Sequence, residues 1–425
     1  MAKFIIQGGN EIGGNFSPRG NKNAVLPMLA ASVLTDQPIE LSNVPDIQDV
    51  RVMLELLETL GVSVQRDAGC VTLCAAGLKT TELDAELCRR VRASILLAGP
   101  LAAKHGSALI HSPGGDVIGR RRLDTHFYGL RALGIHISDT VPYEFKRGPL
   151  QAANLVLDEA SVTATENILM AAVLAPGETT IFNAACEPHV QDLANLLVKM
   201  GANISGIGTN LLTVRGVETL GGAEHTVAPD YIETGSFLAA AAVTGGALEI
   251  ETPGDALTLS VLEKGFEKLG VHWSLRDGTL FQTLEKNRET LPDLGNFTPK
   301  IEDGIWPAFP SDLMSVMIVL ATQTQGQMLF FEKLFESRMY FVDNLMAMGA
   351  NIIQCDPHRV VVSGASKLHG ARLSSPDIRA GMAMLIAACC ADGESIIENA
   401  QMIDRGYEAI DERLRALGAN IVREF

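Results

Sequence analysis

The sequence predicts an α/β protein of two barrel-like domains, each made of three pseudo-symmetric repeats, and one arrangement of them, inside-out, has buried helices and outer sheets. Three observations lead there. The chain of 425 residues is longer than a single hydrophobic core usually supports. An amphipathic helix that ends in Gly and runs into a strand recurs six times, its glycines Gly61, Gly134, Gly201, Gly270, Gly349 and Gly418 spaced by about 70 residues. A second helix, apolar nearly all round, occurs once in each period, and such a helix has to be buried.

Taken in order, the opening KFIIQ reads as a first strand, with no apolar stretch long enough for a signal peptide. Composition shifts near residues 18–20 and 228–230 mark crossovers. They place one domain over 20–228 and the other over 1–19 plus 229–425, so the first strand belongs with the C-terminal half. The amphipathic copies cover 50–64, 123–137, 190–204, 259–273, 340–352 and 407–421. Each helix should end on a left-handed glycine, with the following apolar residue opening a strand. The apolar helices cover 26–34, 92–103, 164–174, 232–243, 313–322 and 378–391. Their longest apolar stretches fall short of the ~20 residues a membrane span needs. Gly206-Ile-Gly208 reads as a hairpin turn, and Cys389 and Cys390 as part of the core.

A net charge of −16 argues against nucleic acid or an anionic membrane as a partner, so any bound anion must meet a local cationic pocket. The seven cysteines include no C-x-x-C pair and read as buried free thiols of a reducing, cytoplasmic compartment. His126, His189 and His225 lack metal-ligand spacing and read as structural or solvated, and no metal site is expected.

Polar and charged residues gather where the apolar helices begin: Lys22 and Asn23 in GNKNAVLP, Arg92, Ser161 to Asn167, Asp230 to Thr234, Asp312 in PAFPSDLM, and Arg379 in SPDIRAG. Capping and dipole compensation account for any one of them. Six equivalent positions also suit an anion site built from several helix N-termini in the cleft between the domains. The loop HSPGGDVIGRRRLDTH combines a PGG turn with three arginines. It reads either as a solvated turn or, over 112–122, as a mobile lid on an anion.

The series GNKNAVLP, RASILLAGPL, PGGDVIGRRRLDTH, PDYIETGSFL, PAFPSDL, FESR, DIRAGMA and IDRGYE resembles the enolpyruvyl transferases over essentially the whole chain. Within them it is similar to the branch that serves peptidoglycan synthesis rather than the branch acting on shikimate phosphate. The resemblance implies transfer of the enolpyruvyl group of phosphoenolpyruvate to the 3-hydroxyl of UDP-N-acetylglucosamine, with release of phosphate and with no metal or organic cofactor. It also implies residue roles. Asp116, Asp312 and Lys22 would be catalytic, Asp116 as the acid of the loop and Asp312 as the base or orienting group at the accepting hydroxyl. Lys22, Asn23, Arg121, Arg338, Arg379 and Arg405 would bind phosphoenolpyruvate, with Arg338 and Arg379 on its carboxylate. The sugar nucleotide would meet Asn23, Arg92, Arg121, Arg122, Leu123, Asp124, Thr125, Ser161, Val162, Asp312 and Leu334.

Four positions depart from the pattern of the resemblance. Asp116 stands where most members carry a cysteine, the target of the epoxide antibiotic fosfomycin. Glu159 replaces a lysine near the diphosphate, Arg122 a proline beside the uracil, and Tyr231 a common arginine. The last three leave open an enolpyruvyl transferase with another nucleotide acceptor, and a non-catalytic ligand-binding homologue is the remaining alternative.

Overall fold

The computed structural model describes residues 2–115, 119 and 122–425. They form two compact units. The N-terminal unit holds Gly20–Gly115 and the chain from Arg122 to Ala228; the C-terminal unit holds the chain up to Arg19 and Pro229–Phe425.

Both units follow one plan. Three apolar helices form the centre of each: α1 (Lys22–Ala31), α2 (Ala98–His105) and α3 (Val162–Ala172) in the first, and α4 (Tyr231–Thr244), α5 (Ser311–Thr322) and α6 (Ile378–Cys390) in the second. Helices α4, α5 and α6 all pack on one another, and α1 and α2 both pack on α3. Their faces are apolar all round, so only a position surrounded by other elements removes that surface from water. The expected helix over 92–103 starts instead as a 3-10 turn, Arg92–Leu97. Pro100 is the cause, because its ring clashes with the carbonyl four residues back and it has no N–H to give.

After each central helix the chain makes a strand, an amphipathic helix and two further strands. In the third repeat these are Glu178–Phe182, Pro188–Lys199, Asn203–Ser205 and Leu211–Arg215, and Asn154–Val156 adds a parallel edge. The Gly206–Gly208 segment turns between the last two strands, with the Thr209 N–H donating to the Gly206 carbonyl. Strand residues alternate between the helices and water, as Thr179 and Ile181 do facing in. Among the described residues five sheets have four strands, and the one after α2 has three with an isolated bridge from Glu82 to Leu109. In the sixth repeat the missing strand is Lys3–Gln7, which lies antiparallel between Glu394–Glu398 and Asn420–Glu424.

The six glycines that punctuate the repeats have φ between 67° and 112°. A residue with a Cβ would be strained there, and a glycine is not. The amphipathic helices of the fifth and sixth repeats shrink to Val342–Ala347 and Ile410–Ala416. The cysteines need a correction. Cys88, Cys186 and Cys389 are buried free thiols, but Cys70 and Cys355 are exposed, Cys70 because strand alternation turns it outward and Cys355 at a register irregularity of the strand Ile352–Asp356. No helix among the described residues is long and apolar enough to cross a membrane.

Candidate active site

In the N-terminal unit the first helix start is a capped cation site. Asn21 caps α1 by accepting from the N–H groups of Asn23 and Ala24 at 2.8 and 3.2 Å. Lys22 is the first residue of α1, where the helix dipole disfavours a positive charge. Its ammonium is buried, and Asp49 Oδ2 lies 2.7 Å away, itself buried on the helix Gln48–Leu60. An uncompensated ammonium would not stay out of water here, and Asp49 is a buried anion that offsets it.

The C-terminal unit repeats the theme at larger scale. Asp312 lies in the first turn of α5, and Arg379 in the first turn of α6, which Asp377 caps through the N–H groups of Arg379 and Ala380. Arg379 donates from Nε and Nη2 to Asp312 Oδ2 at 3.0 and 2.8 Å, and Arg338 donates from Nη2 to Asp312 Oδ1 at 3.1 Å. Both guanidinium groups are buried, while the Asp312 side chain keeps 27% of its surface open. Arg379 Nη1 also donates to Tyr407 Oη at 3.2 Å, and Tyr407 Oη is 2.9 Å from Ser236 Oγ. Burial alone would lower the Arg379 pKa, but Asp312, Tyr407 and Asp230 together hold it above the ordinary arginine value. Arg338 lies over the Phe335 ring, and its Nε is 3.8 Å from Oε2 of the fully buried Glu332. Arg405 is buried at the end of the 3-10 turn Ala400–Arg405. Leu334 is exposed between the strand Gly326–Phe331 and Arg338.

Of the residues expected at the sugar nucleotide, Arg122, Leu123, Asp124, Thr125, Ser161 and Val162 sit around the starts of α3 and of the helix Asp124–Ala132. Arg122 donates from Nε to Asp124 Oδ2 at 2.8 Å and lies 4.0 Å from Asp158. Leu123 caps the helix without a side-chain bond, and buried Thr125 donates from Oγ1 to Asp158 at 2.8 Å and to Glu159 at 3.3 Å. Ser161 Oγ accepts from the Ala164 N–H at 3.4 Å, and Val162 opens α3, half-buried. Arg92 lies near His126 and opposes its protonation. Burial, and secondarily Arg92, lower the His126 pKa to about 3. Neutral His126 is fixed by Asn167, which donates from Nδ2 toward Nδ1 at 3.1 Å, leaving Nε2–H to donate to Thr163 Oγ1. His225 meets Asp192 at 2.8 Å, and His189 is buried, so these histidines are structural. Asp116 and Arg121 lie outside the described residues.

Capping therefore explains Asn21, Asp230, Ser161 and Asp377, whereas Lys22, Asp312 and Arg379 are not caps. Sequence reasoning missed Asp49, Tyr407, Ser236, Glu332 and Asp303. Asp49 looks like an ordinary first-turn acid; Ser236 and Tyr407 fall inside PDYIETGSFL and IDRGYE but carry no charge to mark them, and Glu332 and the buried Asp303 have no local feature that sets them apart. Among the described residues no group of three His, Cys, Asp or Glu is arranged to hold a metal ion.

Chemically, these arrangements suit anions. Two fixed guanidinium groups, offset by one partly open carboxylate, suit a planar carboxylate ligand, and a buried ammonium at a helix N-terminus suits a phosphate. A family model described as EPSP synthase (3-phosphoshikimate 1-carboxyvinyltransferase) matches residues 6–414. A Treponema denticola protein named UDP-N-acetylglucosamine 1-carboxyvinyltransferase is 52% identical over 422 residues, covering 99% of each chain. One of the same name from Bradyrhizobium diazoefficiens is 51% identical, covering 99% of this chain and 98% of its own. Among solved structures, the enolpyruvyl transferase NikO from Streptomyces tendae aligns with a TM-score of 0.87 at 22% identity, covering 99% of this chain and 98% of that one. An EPSP synthase from Acinetobacter baumannii aligns with a TM-score of 0.76 at 18% identity over both full chains.

Proposed function

The chain belongs to the EPSP synthase family of enolpyruvyl transferases, and on that premise we propose that it transfers the enolpyruvyl group of phosphoenolpyruvate to the 3-hydroxyl of UDP-N-acetylglucosamine, releasing phosphate. The observation that carries the reading is the Arg338–Asp312–Arg379 arrangement. In this reaction the hydroxyl oxygen attacks C2 of phosphoenolpyruvate while a proton is delivered to C3. The tetrahedral adduct then loses the C3 proton and the C2–O bond to phosphate, which restores the double bond in the product.

Arg338 and Arg379 hold the carboxylate, and Asp312 fills the same donors before it arrives. An incoming carboxylate competes for those N–H groups, so binding would loosen Asp312 from its cations as the sugar hydroxyl needs an acceptor for its proton. Lys22, held by Asp49, serves the phosphate with Arg121 and Arg405. Asn23, Arg92, Arg122, Leu123, Asp124, Thr125, Ser161, Val162 and Leu334 serve the nucleotide.

Asp116 is the proposed acid. A free aspartate with a pKa of about 3.9 carries its proton roughly one time in a thousand at pH 7, which costs about 4 kcal/mol. The proton therefore arrives with the substrate phosphate or is retained in a less polar loop. With a carboxylate there instead of a thiolate, the protein is insensitive to fosfomycin. A cytoplasmic location fits the seven free cysteines, and the product commits to peptidoglycan.

The acids Asp124, Asp158 and Glu159 around Thr125 favour testing other nucleotides too. The deciding measurement is phosphate release from phosphoenolpyruvate with UDP-N-acetylglucosamine, UMP or UDP-glucose. Release with UMP or UDP-glucose alone would overturn the acceptor, and release with none would overturn the activity.

A further inference from the structure

We propose that Glu332, paired with Asp303, is a positioning residue for the Arg338 guanidinium, holding it off its own carboxyl group and toward Asp312 and an incoming carboxylate. The proposal rests on the assignment of Arg338 to the carboxylate of phosphoenolpyruvate.

Glu332 follows the strand Gly326–Phe331 and is fully buried. Ser311 Oγ donates to it, at 2.8 Å from Oε1 and 3.0 Å from Oε2, and the Phe335 N–H donates to Oε1 at 3.2 Å. It thus ties the residue before Asp312 to the turn that carries Arg338. Arg338 nevertheless stands off. Its Nε is 3.8 Å from Glu332 Oε2, beyond hydrogen-bond range, and has no acceptor among the described residues. A bare buried carboxylate beside a guanidinium would be expected to close into a charge-assisted bond. A neutral carboxyl group has no such pull.

Burial, and after it Asp303, explain the neutrality. Asp303 is also buried, its Oδ1 accepts from the Lys333 N–H, and its Oδ2 has no donor among the described residues. The Glu332 carboxyl lies within hydrogen-bonding reach of the Asp303 side chain, so a single proton can be shared between the two. Two buried carboxylates in contact cannot both stay charged. Burial first, then Asp303, push the Glu332 pKa up to about 9, against the pull of Arg338 and Ser311. The other charged or titratable groups facing the pair are Asp312, bonded to Arg338, and His358, whose Nδ1 lies 2.7 Å from the Glu332 backbone carbonyl; Lys333 turns its ammonium to Glu302.

The consequence is that Glu332 leaves the Arg338 guanidinium to the ligand at neutral pH, and competes for it as a carboxylate once the shared proton leaves. The test is the KM for phosphoenolpyruvate and kcat from pH 7 to 10 in the wild-type enzyme, Glu332→Gln, Asp303→Asn and Arg338→Lys. Wild-type KM should rise at least about threefold between pH 8 and 10, without a matching fall in kcat. Glu332→Gln should remove that rise. Asp303→Asn should move it lower by about a pH unit or more, since the charge that holds the proton is gone. A purely structural role would not move a midpoint. A rise kept at the wild-type midpoint in Glu332→Gln overturns the inference, and so does an unmoved midpoint in Asp303→Asn if the first variant does not fold. Arg338→Lys should raise KM at every pH. If it does not, the assignment of Arg338 itself falls, which separates the two failures.

Discussion

Replacing Asp312 with asparagine should destabilise the protein and stop its chemistry while leaving its grip on phosphoenolpyruvate intact. Asp312 accepts three hydrogen bonds from two buried guanidinium groups, at 3.1, 3.0 and 2.8 Å. Asparagine keeps one acceptor oxygen and turns an NH2 group toward a cation. Removing one partner of a fully buried ion pair costs about 3–5 kcal/mol, and an exposed pair is worth about 1 kcal/mol or less. The arginines are buried and the carboxylate is 27% open, so about 2–3 kcal/mol is the expected loss, or roughly 4–10 °C in the melting of a domain of this size. Turnover should fall about 10²- to 10⁴-fold, the range for a lost general base. Ligand affinity should hold or rise, since the internal competitor for the two arginines has been weakened. Thermal unfolding, phosphate release and phosphoenolpyruvate titration read the three effects separately. A variant that keeps its turnover but binds phosphoenolpyruvate ten times more weakly would refute the competition between Asp312 and substrate.

Three further outcomes are expected. Asp49→Asn should cost about 3 kcal/mol or more, because it strips a buried ammonium of its nearest anion, whereas Asp46→Asn, which breaks an exposed pair with Arg51, should stay within about 0.5 kcal/mol; urea unfolding compares them. His126 is held neutral with a pKa near 3 against about 6.5 unfolded, so the unfolded chain binds the extra proton as pH falls through this window. Its stability contribution is full above pH 6.5, is reduced by about 2 kcal/mol at pH 5, and His126→Gln should flatten that decline in unfolding measured at pH 7 and pH 5. Asp116→Cys should gain covalent labelling by fosfomycin and shift the pH optimum alkaline; mass spectrometry showing no adduct, or superimposable pH profiles, would count against Asp116 as the acid.

Much of the plan was legible because it repeats. Period, punctuating glycine and all-apolar helix are local features, and each forces the same backbone event wherever it occurs. Lys22 and Arg379 could be singled out as cations at helix starts, where the dipole disfavours them, Asp312 as a charge before an apolar run, and Arg338 only through the motif FESR of the family the chain resembles. Their partners could not. Asp312 meets Arg379 across 67 positions, Ser236 meets Tyr407 across 171, and Ser311 meets Glu332 across 21. An acid such as Asp49 or Glu332 has an ordinary local explanation until another strand or helix is laid against it.

What the sequence determined by itself is the α/β repeat, the helix starts as the places where charge collects, and, through its motifs, the chemistry those charges resemble. Only the tertiary structure decided which charges are spent on one another. It set Asp312 between two arginines, Asp49 on Lys22, and Asp303 behind Glu332. The reason is physical: secondary structure follows from neighbours along the chain, whereas the cost of burying a charge depends on which distant group shares the cavity, and that is fixed only when helices and sheets pack.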